Sequence, residues 1–561
     1  MKYNIPAKSF LLALSILLSL SDCRKKEDHQ IFKNSWRTDI DFYLIPEKFN
    51  VMETDWVNTK GQAHFNKQDL IRHLKSYGRT LNDLQKMPEL EFTENEDTIT
   101  LTVAKTSHST HYSYDINIPI SFYGPKWFLK GEYSDIVHQQ NIVPTLAKLL
   151  KIRNPNGVET KAITKILKDQ TPSEKPEIIV TVVIDQGGQQ YYKAHPGVPK
   201  NILKIRESSS YFPNAKVGHV DSQTAVGHMA IGTGSYPRKS GIIGNTKFFM
   251  KDGKMNYTNV YSNTASDMNT EELEVETLSD VLDHENSNQS EILSQCYAHR
   301  ASIGMAGHGS YPIKNATYNG DKDMVYWIDK TNGSWVTDNR FYTLPKSVSS
   351  FNSYENYKTE NPSGPEGKGL PPNEELKNYF YEIMSTSAEV KMEGEMFRKV
   401  LKEQIIDTPK AKDGITDLAY VTFKATDAAG HTYGWESLEA KEAFRETDNQ
   451  IGLLFELLQK EYGDSFILII TADHGCAPLP EISGGQRLVV DEVFKEVNSL
   501  LPAGAEDDLI RFLTVGQISL NHGSLKTHNI SEKQVKDKIL GIRVNGRPFF
   551  KQVLSANDIK H

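Results

Sequence analysis

Three apolar runs organise the chain, and each leads directly to acidic and histidine residues. Ile178-Ile-Val-Thr-Val-Val-Ile184 is followed at once by Asp185. Leu418-Ala-Tyr-Val-Thr-Phe423 leads to Asp427-Ala-Ala-Gly-His431, and Phe466-Ile-Leu-Ile-Ile470 to Ala472-Asp-His-Gly475. Continuous apolar runs of this length suit strands buried on both faces of a largely parallel sheet. Helical patterns lie between them, most clearly over residues 438–461. Open α/β sheets carry their sites at the carboxyl ends of strands. Three strand ends bearing Asp or His therefore point to one shared site. The expected fold class is α/β, a three-layer sandwich around a mostly parallel central sheet.

Other patterns divide the chain further. Residues 41–165 alternate strand-like and helical signals. Ile116-Asn-Ile-Pro-Ile-Ser-Phe-Tyr123 alternates and stops at Gly124-Pro125, as a strand does. Asn141-Ile-Val-Pro-Thr-Leu-Ala-Lys-Leu-Leu-Lys151 predicts an amphipathic helix with Pro in its first turn. Residues 166–176 are polar and contain Pro, as a linker would, and a catalytic core is expected over 177–561. Residues 290–400, rich in Tyr, Asn, Gly and Ser with Trp327 and Trp335, are expected to form an insertion or cap beside the site.

The chain has 561 residues, 38% of them hydrophobic and 24% charged, which fits a large globular α/β protein rather than a disordered one. A net charge of −8 gives no basic footprint, so no nucleic-acid partner is expected. Lys2 and Lys8 precede a short apolar stretch over residues 10–20, too short to span a bilayer. Leu20-Ser-Asp-Cys23 then resembles a bacterial lipoprotein signal, although Asp22 departs from the usual small residue. Residues 1–23 are thus expected to be a signal peptide, with membrane attachment through a lipidated Cys23. A plain signal peptide is the alternative, and export is common to both. Cys296 and Cys476 could form one disulfide, but no disulfide framework is implied.

The chemistry rests on the strand ends together with Asp221-Ser-Gln-Thr-Ala-Val-Gly-His-Met-Ala-Ile-Gly-Thr-Gly234, a polar turn running into a small-residue helix. Each piece alone has a structural reading. Asp185 or Thr224 could cap a helix, and Asp427 with His431 could be a surface pair. Together they form the ligand set of a two-metal hydrolase. Zinc takes nitrogen and oxygen ligands and, at catalytic sites, keeps a position open for substrate. Paired metals clamp the attacking and leaving oxygens of an in-line phosphoryl displacement. A hydroxyl such as Thr224 reacts poorly at neutral pH unless activated in this way.

Val183-Ile-Asp-Gln186, Thr224-Ala-Val-Gly-His-Met-Ala-Ile231, Gly241-Ile-Ile-Gly-Asn245, Thr426-Asp-Ala-Ala-Gly-His431 and Thr471-Ala-Asp-His-Gly475 resemble the alkaline phosphatase superfamily. The resemblance is to its threonine-nucleophile branch, which holds phosphate-monoester hydrolases and nucleotide pyrophosphatase/phosphodiesterases. It implies two Zn2+ ions. One would be held by Asp185, Asp473 and His474 with Thr224 beside it. The other would be held by Asp427, His431 and one more histidine. Asn245 would contact a phosphoryl oxygen.

Members of the family usually supply that last histidine late, from a His-Gly-Ser-Pro-like turn before a strand ending in Gly-Pro-Gly. Here the similar stretch lies early, over Thr106-Ser-His-Ser-Thr-His-Tyr-Ser-Tyr-Asp-Ile-Asn-Ile-Pro-Ile-Ser-Phe-Tyr-Gly-Pro125. The helix at 142–150 resembles the family's closing helix, and residues 37–46 resemble the strand before the turn. Residues 516–556 resemble what normally precedes all of this. The resemblance implies a circular permutation, with residues 24–165 as the displaced C-terminal portion and 166–176 as the new joint. His108 then completes the second site, with His111 as the local alternative. Without permutation His522 is the candidate, and 41–165 would be an accessory domain.

In the monoesterases most similar to this chain, a Lys-x-Arg pair reaches the phosphoryl group. Arg300 matches the arginine, whereas Ala298 replaces the lysine. The expected function is an exported, zinc-dependent phosphomonoesterase that acts on a small phosphorylated substrate as a monomer through a phosphothreonine. A phosphodiesterase or nucleotide pyrophosphatase with the same core is the alternative, favoured by Ala298. A non-catalytic surface lipoprotein is a third reading.

Overall fold

The computed structural model describes residues 40–555, except 54–59, 170–171, 252–253, 265–266, 311–322 and 368, together with 557–558. The signal segment and Cys23 lie outside the described residues. The central sheet has nine strands. In chain order these are β1 (Asn117–Tyr123), β2 (Gly131–Glu132), β3 (Ile178–Ile184), β4 (Ser210–Lys216), β5 (Ile292–Gln295), β6 (Met324–Asp329), β7 (Ser334–Val336), β8 (Asp417–Phe423) and β9 (Phe466–Thr471). Across the sheet they run β7-β6-β5-β8-β3-β9-β1-β4-β2. The five strands from β6 to β9 are mutually parallel, and β1 is antiparallel to both its neighbours.

The apolar runs are continuous because both faces of the sheet are covered. Along β3, Ile179 and Val183 enter one core cluster, while Ile178, Val180, Val182 and Ile184 enter the other. Strand β9 divides in the same way, with Ile467 and Ile469 on the first side and Phe466, Leu468 and Ile470 on the second. Helices α1 (Ile142–Leu150), α2 (Thr224–Thr233) and α3 (His299–Ala306) contribute to the first cluster. Helices α4 (Ala425–Tyr433) and α5 (Leu438–Tyr462) contribute to the second. The three-layer α/β arrangement expected from the runs is the one observed.

Residues 290–400 are built into this framework. They supply β5, β6 and β7 at one side of the sheet, with Trp327 and Trp335 buried in the two cores. Arg300 and Tyr381 from the same stretch border the site cavity. Cys296 and Cys476 are both buried and unpaired, so they form no disulfide. Among the described residues no helix is long and apolar enough to cross a membrane.

The N-terminal residues are integral to the sheet. Strand β1 sits between β9 and β4, with Ile120 opposite Thr471 and Phe212. A second, four-stranded antiparallel sheet has the order Ile510–Leu513, Gln517–Leu520, Phe42–Pro46, Phe550–Ser555. There the early strand lies between two late ones, with Phe42 paired to both Ile518 and Ser555.

Ile120 is fully buried in the middle of β1. Ile120→Ala is expected to lower global stability by about 2–5 kcal/mol, the range for removing a buried aliphatic side chain. Urea unfolding followed by fluorescence should show one transition at a lower midpoint. An unchanged main transition beside a separate early one would mean that residues 40–165 fold as an independent domain.

Candidate active site

The first cluster forms where β3 and β9 end. Asp185 directly follows β3; its N–H donates to Phe423 O at 3.0 Å and its carbonyl accepts from Thr426 Oγ1 at 2.5 Å. Asp473 lies two residues past β9, and its Oδ1 accepts the N–H groups of Gln186 (3.0 Å) and His474 (2.8 Å). His474 Nδ1 donates to Gly475 O at 2.9 Å, because a carbonyl can only accept. That fixes the tautomer and turns the Nε2 lone pair inward. His474 Nε2 lies 3.2 Å from Asp473 Oδ2 and 3.7 Å from Asp185 Oδ1. All three of these atoms are buried and lack a hydrogen-bond partner. Three buried acceptors converging without a donor are costly unless a cation completes them, and their types suit a divalent metal.

The second cluster joins α4 to the N-terminal portion. Asp427 and His431 are one turn apart on α4, with Asp427 Oδ1 3.2 Å from His431 Nε2 and 3.8 Å from His108 Nε2. His431 Nδ1 donates to Thr106 O at 2.7 Å, so its Nε2 also faces the cluster. His108 sits in a buried loop held from several sides. Thr106 N–H donates to His431 O, Ala477 N–H to Ser107 O, and Ser109 N–H to Ser222 Oγ. The His108 ring lies 3.8 Å from that of His474 and 4.9 Å from that of His431, centroid to centroid, so the two clusters adjoin. His111 stacks on Tyr112 outside the cluster. His522 begins a short helix and bonds to Asp41 in an exposed group elsewhere.

Thr224 is the first residue of α2, and every residue of that helix is buried. The helix needs small residues to reach its place. A Cβ on Gly227 would lie 2.7 Å from Asp473 O, and one on Gly232 would lie 2.4 Å from Gly304 O of α3. The second contact also fixes α3, which begins with His299 and Arg300. Asn245 Oδ1 accepts the N–H of Ala225 at 2.9 Å, which ties it to the start of α2. Thr224, Asn245, Arg300, His108, Asp427 and His431 all line one cavity of about 400 Å3. The buried Nε of Arg300 has no hydrogen-bond partner among the described residues. Leu513, Thr514 and Val515 of the second sheet's hairpin also line the cavity.

Two site residues gave weaker sequence signals. Lys424, the residue before α4, is buried, and its Nζ lies 2.7 Å from Asp185 Oδ2, 2.7 Å from Asp427 Oδ2 and 3.3 Å from Thr224 Oγ1. Its signal was a lone cation between an apolar strand and an acid three residues on. Gln186 donates through Nε2 to Asp427 Oδ1 at 3.1 Å and adopts a positive φ of 61°. Its side chain needs Gly430 opposite, since a Cβ there would sit 1.8 Å from Gln186 Oε1.

Burial and mutual charge set the protonation states. Burial, then its histidine neighbours, push His108 well below the usual imidazole range, and burial takes His474 down to about 3. Both rings are therefore neutral near pH 7, as metal binding requires. Burial lifts Asp185 to about 6 although Lys424 opposes it. Burial, then repulsion from Asp185, hold Asp473 well above the carboxylate range. Burial also disfavours charge on Asp427 and Lys424. The attraction of Lys424 nevertheless brings Asp427 well below its usual range, and the two carboxylates raise Lys424.

The family model for type I phosphodiesterase / nucleotide pyrophosphatase matches residues 179–560, and the chain belongs to that family, within the alkaline phosphatase superfamily. It is 25% identical over 430 residues to alkaline phosphatase PafA of Elizabethkingia meningoseptica, covering 69% of this chain and 76% of that protein. It is 26% identical over 371 residues to alkaline phosphatase PhoV of Synechococcus elongatus, covering 58% and 64%. A shorter match, 39% over 82 residues, is to human ectonucleotide pyrophosphatase/phosphodiesterase family member 7, covering 14% of this chain and 18% of that protein. The crystal structure of wild-type PafA superposes with a TM-score of 0.50 at 21% identity, over 66% of this chain and 77% of that one, which supports the shared fold. The protein is a phosphoric ester hydrolase, and each of its two buried His and Asp clusters could hold a metal ion.

The raised pKa of Asp473 has a defined consequence for stability. Because its folded-state pKa exceeds the unfolded one, the folded state holds an extra proton between the two values. Stability therefore falls as pH rises through that window. In metal-free protein at pH 8, Asp473→Asn is expected to raise Tm. In metal-loaded protein the same change should lower Tm, because the ion loses a charged ligand. Scanning calorimetry with and without chelator checks this, and shifts of the same sign in both states would refute the ligand assignment.

Proposed function

We propose that the protein is an exported, zinc-dependent phosphomonoesterase that works through a phosphothreonine at Thr224. The observation that carries this reading is the convergence of two adjoining buried donor clusters, with Thr224 Oγ1 3.3 Å from the lysine that bonds a carboxylate of each. Asp185, Asp473 and His474 would hold one Zn2+, and Asp427, His431 and His108 the other. Bound there, such ions supply Lewis acidity toward the hydroxyl and the phosphoryl oxygens.

Thr224 Oγ attacks phosphorus in line. The new Oγ–P bond forms as the bond from phosphorus to the leaving oxygen breaks, and the alcohol departs with a proton. Water then attacks phosphorus, the Oγ–P bond breaks, and Thr224 regains its proton. Ester and water have become alcohol and phosphate. Asn245 and Arg300 face the cavity where nonbridging oxygens would lie, and Arg300 has the fork geometry to bind two of them. The start of α2 turns its positive end toward the same place.

A phosphodiesterase with the same core is the second reading. Ala298, where similar monoesterases carry a lysine, favours it. The basic start, short apolar stretch and Cys23 of the sequence support export and lipid attachment.

We also infer that the chain is circularly permuted relative to its family. Strands 42–46 and 550–555 are antiparallel neighbours with Phe42 opposite Ser555, so a short hairpin turn could join them. A rearranged chain running from 177 to 555, through such a turn, and then from 42 to 166 is expected to fold with the same Tm within a few degrees. A rearranged chain that is insoluble or inactive would count against the permutation.

Thr224→Ala should lower turnover of p-nitrophenyl phosphate by at least about a thousandfold, since the nucleophile is removed. His108→Ala should lower bound zinc by about half. For wild-type protein, the ratio of kcat/KM for p-nitrophenyl phosphate over bis-p-nitrophenyl phosphate should exceed one. A ratio well below one would replace the monoester reading with the diester one.

A further inference from the structure

Lys424 is 1% exposed, yet its ammonium stands among the ligand carboxylates. The oxygens around it are divided in an informative way. Asp185 gives Oδ2 to Lys424 and keeps Oδ1 for the cluster with His474. Asp427 likewise gives Oδ2 to Lys424 and turns Oδ1 toward His431 and His108. Lysine and metal ions would therefore draw on different oxygens, so Lys424 need not be displaced when the clusters are filled. An ammonium has three donors, and here three acceptors meet it: the two carboxylates and, at 3.3 Å, Thr224 Oγ1.

We propose that Lys424 is a catalytic cation of this site, which holds the oxygen of Thr224 as a hydrogen-bond acceptor and supplies the positive charge that a phosphoryl dianion requires. The proposal rests on the two-ion, Thr224-nucleophile reading above. With its oxygen accepting from Lys424, Thr224 keeps a further lone pair to present to phosphorus. The charge argument concerns substrate class. Arg300 lines the cavity with Thr224 from the start of α3, and Lys424 reaches Thr224 Oγ1 from the residue preceding α4. A monoester brings up to two negative charges to the reacting phosphorus and a diester one, so each fixed cation matters more to the monoester. Position 298, beside Arg300, is a buried alanine and supplies no charge. The second cation thus arrives from a different element, the segment that also carries Asp427 and His431.

The test uses zinc-loaded full-length Lys424→Met and Lys424→Gln beside wild type. Bound zinc is measured by mass spectrometry, affinity for inorganic phosphate at pH 8 by calorimetry, and kcat/KM for p-nitrophenyl phosphate and bis-p-nitrophenyl phosphate by absorbance. Zinc content should stay at the wild-type value. Phosphate affinity should fall at least tenfold, and the monoester-to-diester ratio should fall at least tenfold. If zinc is lost with the lysine charge, or if phosphate affinity and the ratio stay within twofold of wild type, the proposal is overturned. Should Lys424→Met not fold, Lys424→Gln decides; failure of both to fold identifies a structural clamp and overturns it as well. A wild-type ratio below one would sink the monoester reading separately, and the phosphate affinities would still decide the role of Lys424.

Discussion

Three carboxylates buried at the ends of adjacent parallel strands are the constraint around which this molecule is arranged. Asp185, Asp427 and Asp473 are all almost fully inaccessible to water, and like charges in such a place repel strongly. The protein offsets the repulsion with Lys424 between two of them, with N–H groups from Gln186 and His474 on the third, and with converging histidine nitrogens. What is left unmatched, at Asp185 Oδ1, Asp473 Oδ2 and His474 Nε2, is a set of acceptors directed at one point. A metal ion bound there would complete that set, so the residual electrostatic stress and the proposed catalysis would have one origin.

Supporting that centre requires a rigid scaffold on all sides. Alternate residues of β3, β8 and β9 anchor in two separate cores, which keeps the strand ends in register. Above them α2 approaches Asp473 and α3 so closely that Gly227 and Gly232 leave no room for a side chain. The His108 loop is stitched to α4, to the segment after β9 and to the turn before α2. Side chains that move little can hold reacting groups in place without reorganising during the reaction, which is the physical basis of electrostatic catalysis.

The order of the chain is a weaker constraint than its packing. Strand β1 and the His108 loop come early, yet they complete a sheet and a site whose other parts come late. In the smaller sheet the early strand pairs with both late neighbours. Hydrogen bonding and burial are indifferent to connectivity provided the ends meet.

By itself, the sequence determined the sheet, the strand ends and most of the chemistry-bearing residues. Uninterrupted apolar runs of this length, rich in β-branched residues, suit strands covered on both faces, and polar residues at their ends need a reason to be there. Thr224 was legible because a hydroxyl preceded a helix of small residues. The tertiary structure alone decided which of His108, His111 and His522 stands beside Asp427, since local pattern does not separate histidines that differ only in their distant neighbours. It alone showed residues 290–400 supplying sheet strands as well as Arg300, because β5 has only four residues and its partner β8 lies far along the chain. It also revealed Lys424 and Gln186 as members of the site. Whether a polar side chain next to a strand turns outward to water or inward to a carboxylate is settled by what packs against it, and no local pattern carries that information.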